Sequence, residues 1–216
     1  MSNPIAPSRE VCHTMVEWSS TVFVGGHPSL DFVNTAGGRT KARDGERLME
    51  FTDAVGWACS AAVIDDHEAA ELTALADADP PAATRALTEL RAQREALHAY
   101  LLAAIEGSGT SSAVHRRVEA DIIAAYQAAR LSDRLDDADA WSIATKDAGM
   151  RLIGRRVALA AGALLAGRDR RNIRVCGRCS WMFLDSSPTR RRRWCSMAIC
   201  GNRSKAQRHH QRSNSN

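Results

Sequence analysis

Four cysteines near the carboxyl end have the types and spacing of a metal site. Cys176, Cys179, Cys195 and Cys200 read C-G-R-C, fifteen residues, then C-S-M-A-I-C. Thiolates on two tight turns supply the four soft tetrahedral ligands that Zn2+ takes in structural sites. The second pair encloses four residues rather than two, which suits Cys195 on a turn and Cys200 one turn inside a following helix. Two disulfides are the other use of four cysteines, but the regular spacing and a chain with no visible secretory signal favour metal. With all four sulfurs engaged, no coordination position remains for a substrate, so the expected site is structural rather than catalytic.

Basic side chains surround these cysteines. From Arg168 to Asn216 there are 13 Lys/Arg against 2 Asp/Glu, a local charge of +11, whereas the rest of the chain carries 16 against 23, or −7. Arg190, Arg191, Arg192 and Arg193 form an unbroken run, suited to neutralising phosphates and releasing their counterions. Ser196 is a good N-cap for a helix reaching about Arg212, and that helix carries Asn202, Arg203, Lys205, Arg208 and Arg212. Arginine pairs with guanine and Asn or Gln with adenine, so double-stranded DNA is the expected partner, ahead of RNA or another polyanion.

These groups need a scaffold. Ile173–Cys176 reads as a short extended lead-in. Trp181–Asp185 reads as a strand, and Arg190–Arg193 returns after a turn at Ser186–Thr189. A knuckle, a short hairpin and a helix bearing the last ligand make a treble-clef-like finger. Such a module is too small to fold on apolar burial alone. Upstream, apolar residues recur at helical spacing over Glu46–Ala62, from Asp65 through Leu75, over Ala82–Glu106, Ala113–Arg130 and Asp147–Ala166. Ser20–Val24 suits a short strand, Ser29–Thr35 one or two helical turns, and Leu131–Thr145 a small β-hairpin around Asp136–Asp139. The expected fold is mainly α: a helical-bundle N-terminal domain with a small β-hairpin, followed by the zinc finger. The divisions are a flexible leader over 1–18, a helical domain over 19–168 and a DNA-binding finger over 169–216.

Arg94 falls on the apolar stripe of its helix, and a buried guanidinium needs an anion. Asp31 interrupts an apolar run and is the candidate partner. A structural ion pair is the simpler reading. The sharper one is a small-molecule effector site lined by Asp31, Asn34 and Arg94. No catalytic triad or paired-carboxylate site is evident, so no catalytic residues are assigned and no enzyme is expected. Gly107–Thr110 resembles a phosphate loop in composition only. The longest apolar run, Val157–Gly167, is too short to span a bilayer, and a cytoplasmic location with no membrane association is expected.

The run W-C-S-M-A-I-C-G-N-R-S-K-A, with the preceding C-G-R-C and F-L-D, resembles the CGNR zinc-finger family. The stretch G-G-H-P-S-L-D-F-V-N-T, with Asp44–Trp57 and Q-R-E-A-L, is similar to the ABATE domain that precedes that finger in bacterial proteins. The resemblance implies a stress-induced transcription regulator with Cys176, Cys179, Cys195 and Cys200 as ligands. The helical domain would then serve as sensor or dimerisation scaffold. A homodimer is expected because one small finger reads few base pairs. An RNA- or ribosome-associated zinc protein, or an enzyme in the helical body, is the alternative.

Overall fold

Capping chemistry decides where the helices begin. In the computed structural model, residues 18–133 and 140–213 are described, without the side chains of 208–210, 212 and 213. His27 opens α1 (Pro28–Val33) by accepting a hydrogen bond from Ser29 N, and Pro28 sits where a helix has no use for an N–H. Glu50 and Asp53 form a reciprocal box that starts α2 (Phe51–Ser60), and Asp65 with Glu68 does the same for α3 (Asp66–Ala78). Asp79 then caps α4 (Pro80–Glu106), which Gly107 ends in the left-handed conformation, and Ser111 caps α5 (Ser112–Ala128).

Two expectations shift for identifiable reasons. The helix expected from Glu46 starts at Phe51, because Glu46 forms a β-bridge with Ala36 and the Glu50–Asp53 box sets the start. The helix expected over Asp147–Ala166 is broken. Gly149 has φ 53° and ψ −139°, which a side chain disfavours, so a short α6 (Thr145–Ala148) and a 3-10 turn precede α7 (Leu152–Ala166). The β-hairpin is present as β1 (Arg130–Leu131) paired with β2 (Trp141–Ser142). Its expected acidic turn, Asp136–Asp139, lies outside the described residues, as do Leu135, Cys12 and residues 1–17 of the leader. Ser20–Val24 is turn and coil rather than strand.

The body is a helical bundle. Phe32, Leu48, Phe51, Val55, Trp57, Leu72, Leu87, Leu90, Leu152, Ile153 and Val157 form its main core, with α5 packed against α4 and α7. No helix among the described residues is long and apolar enough to cross a membrane.

After α7, a 3-10 turn (Arg168–Asn172) leads into β3 (Ile173–Val175), which pairs antiparallel with β4 (Met182–Leu184). The hairpin therefore encloses the C-G-R-C knuckle. The run Arg190–Arg193, expected as the returning strand, is irregular. A π-helical turn (Met197–Gly201) then runs into α8 (Asn202–Ser213).

The finger is built into the body. Ile173 and Met182 share a core with Leu30 and Val33 of α1, Leu97 and Leu101 of α4, and Ala161 and Leu164 of α7. Val22 and Val24 pack against Trp181, Phe183 and the cysteines. Gly37 and Gly38 lie directly under Ser180 and Trp181. Gly38 N donates to Ser180 Oγ, and the Trp181 indole donates to Ala36 O at 3.1 Å. A Cβ on Gly38, whose φ is +99°, would lie 2.4 Å from the Trp181 ring. Gly38→Ala is therefore expected to lift Trp181 away and lower stability by about 2–4 kcal/mol. An unchanged urea midpoint would show that this contact is dispensable.

Candidate metal centre

The knuckle holds Cys176 and Cys179 on one tight turn, closed by Cys176 N donating to Trp181 O at 2.8 Å. The second pair is five residues apart, and a turn with i→i+5 hydrogen bonds places such residues on one side. Gly201 N donates to Ser196 O at 3.0 Å in this way. Ser196 Oγ also accepts from Ile199 N, the capping role expected of it. The wide C-x4-C spacing thus accommodates the π turn, with Cys195 just before its cap Ser196 and Cys200 within it.

All four sulfurs are buried and lie within 4.8 Å of one another. Cys179 to Cys195 is 3.7 Å, Cys195 to Cys200 3.6 Å, and Cys200 to Cys179 3.7 Å. A tetrahedron of thiolates about 2.3 Å from zinc has edges of about 3.8 Å. A disulfide needs about 2.05 Å, and none of the four forms one. The cluster is suited to Zn2+.

The four thiols perturb one another's protonation. Hydrogen bonds from Cys179 and Cys195 pull the Cys176 thiol far down. Those same bonds push Cys179 up to about 12 and raise Cys195 further, while burial raises Cys200. Burial without a cation favours the protonated thiol. A dication reverses that preference for every ligand.

The rest of the finger holds this cluster in shape. Buried Asp185 accepts from Ser187 Oγ at 2.6 Å, Ser187 N at 3.1 Å and Arg192 N at 3.0 Å, organising the loop between β4 and Cys195. These bonds hold its carboxyl below the usual range. Arg192 stacks over the Phe183 ring at 4.4 Å and donates to the carbonyls of Trp194 and Cys195. Arg190, Arg191 and Arg193 are exposed, and Arg193 lies over Trp194. On α8, Asn202, Arg203 and Lys205 are exposed. The side chains of Arg208 and Arg212 lie outside the described residues.

Each of the three residues considered for an effector is bonded within the fold. Asp31 accepts from Gly25 N at 2.7 Å. Asn34 donates to Met182 O at 2.8 Å and accepts from Met182 N at 2.9 Å, pairing with the outer edge of β4 as a neighbouring strand would. Leu184 N donates to Gly25 O at 2.7 Å on that same edge. Arg94 pairs with Glu46, at 2.7 Å and 2.6 Å, and with Glu95 at 2.8 Å. Asp31 is therefore not the partner of Arg94: the bridge to Ala36 brings Glu46 to α4 instead.

Sequence reasoning missed Lys41, whose ammonium reaches Cys176 O, and Arg47, which lies 4.9 Å over Trp181. It also missed Asp185 as an organiser. The only signal for Asn34 was a polar residue in an apolar run, which implies a buried hydrogen bond but not its partner.

Burial pushes the Asp31 carboxyl up to about 6, against the Gly25 hydrogen bond. A raised carboxyl favours the folded state at low pH, and that contribution disappears as pH rises through about 6. Between pH 8 and pH 5 the wild type is expected to gain about 1 kcal/mol over Asp31→Asn. His98, pushed down to about 4 by burial and by Arg43, has the opposite trend: it loses stability as pH falls from 6.5. It is common to both proteins and drops out of the comparison. Urea unfolding at the two pH values would check this, and parallel pH profiles would contradict it.

A CGNR zinc-finger profile matches residues 172–213. No curated protein matches the chain. The profile described as "Putative stress-induced transcription regulator", ABATE, matches residues 26–168. Covering more than half of the chain, that match carries the conclusion: this protein belongs to the ABATE family and ends in a CGNR zinc finger with a buried four-cysteine cluster suited to Zn2+.

Proposed function

We propose that the protein is a cytoplasmic, non-enzymatic transcription regulator that binds double-stranded DNA through residues 169–216. Residues 19–168 serve as sensor or dimerisation scaffold, behind a leader over 1–18. Cys176, Cys179, Cys195 and Cys200 hold Zn2+, which supplies folding free energy and performs no chemistry. Arg190, Arg191 and Arg193 contact phosphates. Asn202, Arg203 and Lys205, continued by Arg208 and Arg212, lie along the duplex. Arg192 is assigned to holding the finger together.

One observation carries this reading. The exposed basic helix α8 begins directly at Cys200–Gly201, so the metal cluster fixes the direction of the side chains suited to nucleic acid. The finger's own fold is too small to need the +11 of charge carried from Arg168 onward for stability, whereas phosphate binding uses it directly. A second copy would provide a second half-site.

Selection from random duplexes tests the proposal, run with the wild type and with Cys195→Ser. An enriched motif is expected for the first and none for the second. In follow-up binding, Arg191→Ala should reduce the salt slope by about 1 without changing the motif. No enrichment by the wild type, or unrelated RNA competing as well as the selected duplex, would overturn it.

A further inference from the structure

We infer that duplex DNA is held by the body as well as by the finger: the loop 36–47 places Arg39 and Lys41 beside the first cysteine pair, where they bind backbone phosphates alongside Arg193. This contact rests on the DNA-binding reading above and lies beyond residues 169–216.

The loop holds its shape through its own bonds. The Ala36–Glu46 bridge and Gly37 N, which donates to Gly45 O at 2.6 Å, close its base. At its tip, Thr40 Oγ1 accepts from Ala42 N at 3.1 Å and donates to Asp44 at 3.3 Å. Its charges are unbalanced. Arg43 is engaged by Glu95, and Glu46 by Arg94, which leaves Arg39, Lys41 and Arg47 against Asp44. Arg47 lies over Trp181 and donates to Gly37 O. Arg39 and Lys41 are exposed, and among the described residues neither has an acidic partner. The charges of Arg39 and Arg47 repel one another. Cations gathered in this way attract a polyanion and release its counterions on contact.

The loop also continues the surface of the finger. Lys41 donates to Cys176 O. The next residue of the knuckle, Gly177, donates to Arg193 O at 2.8 Å. A Cβ on Gly177 would lie 3.0 Å from the Trp194 ring, and one on Gly201, just before α8, 3.3 Å from the same ring. Loop, knuckle, arginine run and the start of α8 therefore touch in series, with only Cys176 and Gly177 between Lys41 and Arg193. A lysine ammonium carries three N–H groups, so one on Cys176 O leaves two for phosphate oxygens. Lys41 and Arg47 have a second use, because four thiolates around Zn2+ leave a net negative charge that nearby cations offset. Arg39 has no bond to the knuckle among the described residues, so its effect on DNA separates the two roles.

Fluorescence anisotropy of the selected duplex, titrated with the full zinc-loaded chain over about 0.1–0.3 M salt, tests this contact. Arg39→Gln is expected to lower the salt slope by about 1 and to weaken binding about fivefold near 0.15 M, because one phosphate contact is lost. Arg39→Gln combined with Lys41→Gln should lower the slope by about 2 and weaken binding about 25-fold. Arg85→Gln removes an exposed charge on α4 about 18 Å along the helix from Leu97, which meets the finger. It should leave the slope unchanged and the affinity within about twofold, since that distance exceeds the screening length. Zinc content, urea midpoint and selected motif of Arg39→Gln should match the wild type, because phosphate contacts carry no sequence information directly. A wild-type slope in Arg39→Gln, an equal loss in Arg85→Gln, or a loss accompanied by released zinc would overturn the contact and leave the DNA-binding reading in place. A wild type that binds no duplex, or that prefers unrelated RNA, overturns both.

Discussion

Chelating the metal from the purified chain is expected to unfold more than the finger. In comparable fingers structural zinc contributes an apparent folding free energy of about 10–16 kcal/mol. Without it, four buried sulfurs lose their common partner, and neither β3 nor β4 is long enough to persist alone. The damage then reaches the body. Ile173 and Met182 leave a core shared with α1, α4 and α7, and the buried Asn34 amide loses both of its bonds. Trp181 leaves its place over Gly38. A drop in the thermal midpoint of about 10 °C or more is expected, since ~1 kcal/mol moves a chain of this size by about 2–4 °C. Cys195→Ser should reproduce it without chelator. Calorimetry of the whole chain decides: a body transition that stays in place while only a small separate transition disappears would show that body and finger are energetically independent.

Arg94→Met is expected to cost about 3–5 kcal/mol, the usual result of breaking a buried pair from one side. Arg94 is 3% exposed and binds Glu46, Glu95 and Thr35 Oγ1 at once. Against the cost of burial, its hydrogen bond and charge hold the Glu46 carboxyl below the usual range. Without the guanidinium, Glu46 keeps Arg91, 3.6 Å away, and Arg47 as cationic neighbours, but neither is as close as the lost pair. The loop 36–47 that carries Trp181 is tied to α4 by this pair and by Arg43, which binds Glu95 at 2.7 Å and Val33 O at 3.0 Å. Adding Glu46→Gln to Arg94→Met should recover at least half of the loss, because the stranded charge is then gone. Urea unfolding of the two single variants and the double one measures the coupling; additive losses would show that the pair does not hold the loop.

Much of this molecule could be read from local chemistry. Four cysteines at these spacings imply zinc because no other inexpensive arrangement uses four thiols on two turns. Amphipathic periods over α2 to α5 and α7 identify a helical body, and Asp65 and Ser196 announce helix starts by the oxygens they bring to orphan N–H groups. Boundaries were less legible where backbone geometry intervened. Gly149 breaks the last body helix through its own φ and ψ, although the apolar period runs on past it.

Relations between distant segments were not legible. Arg94 advertised a need for an anion, but Glu46, Asp31 and Glu95 all satisfy that need chemically, and only the bridge between Ala36 and Glu46 selects among them. The charge step near Arg168 suggested a tail attached to a body. Tertiary structure instead inserts the hairpin into a common core and lays Ser180 and Trp181 on two glycines, Gly37 and Gly38, whose value is the absence of a side chain. Arg192 looks identical to its neighbours in the chain, yet it alone of the four donates to the carbonyls beside the last cysteine pair. Local order follows from the types and spacing of nearby residues. Which polar group meets which across 148 residues, as Asn34 meets Met182, depends on how the helices pack, and that is a property of the whole core.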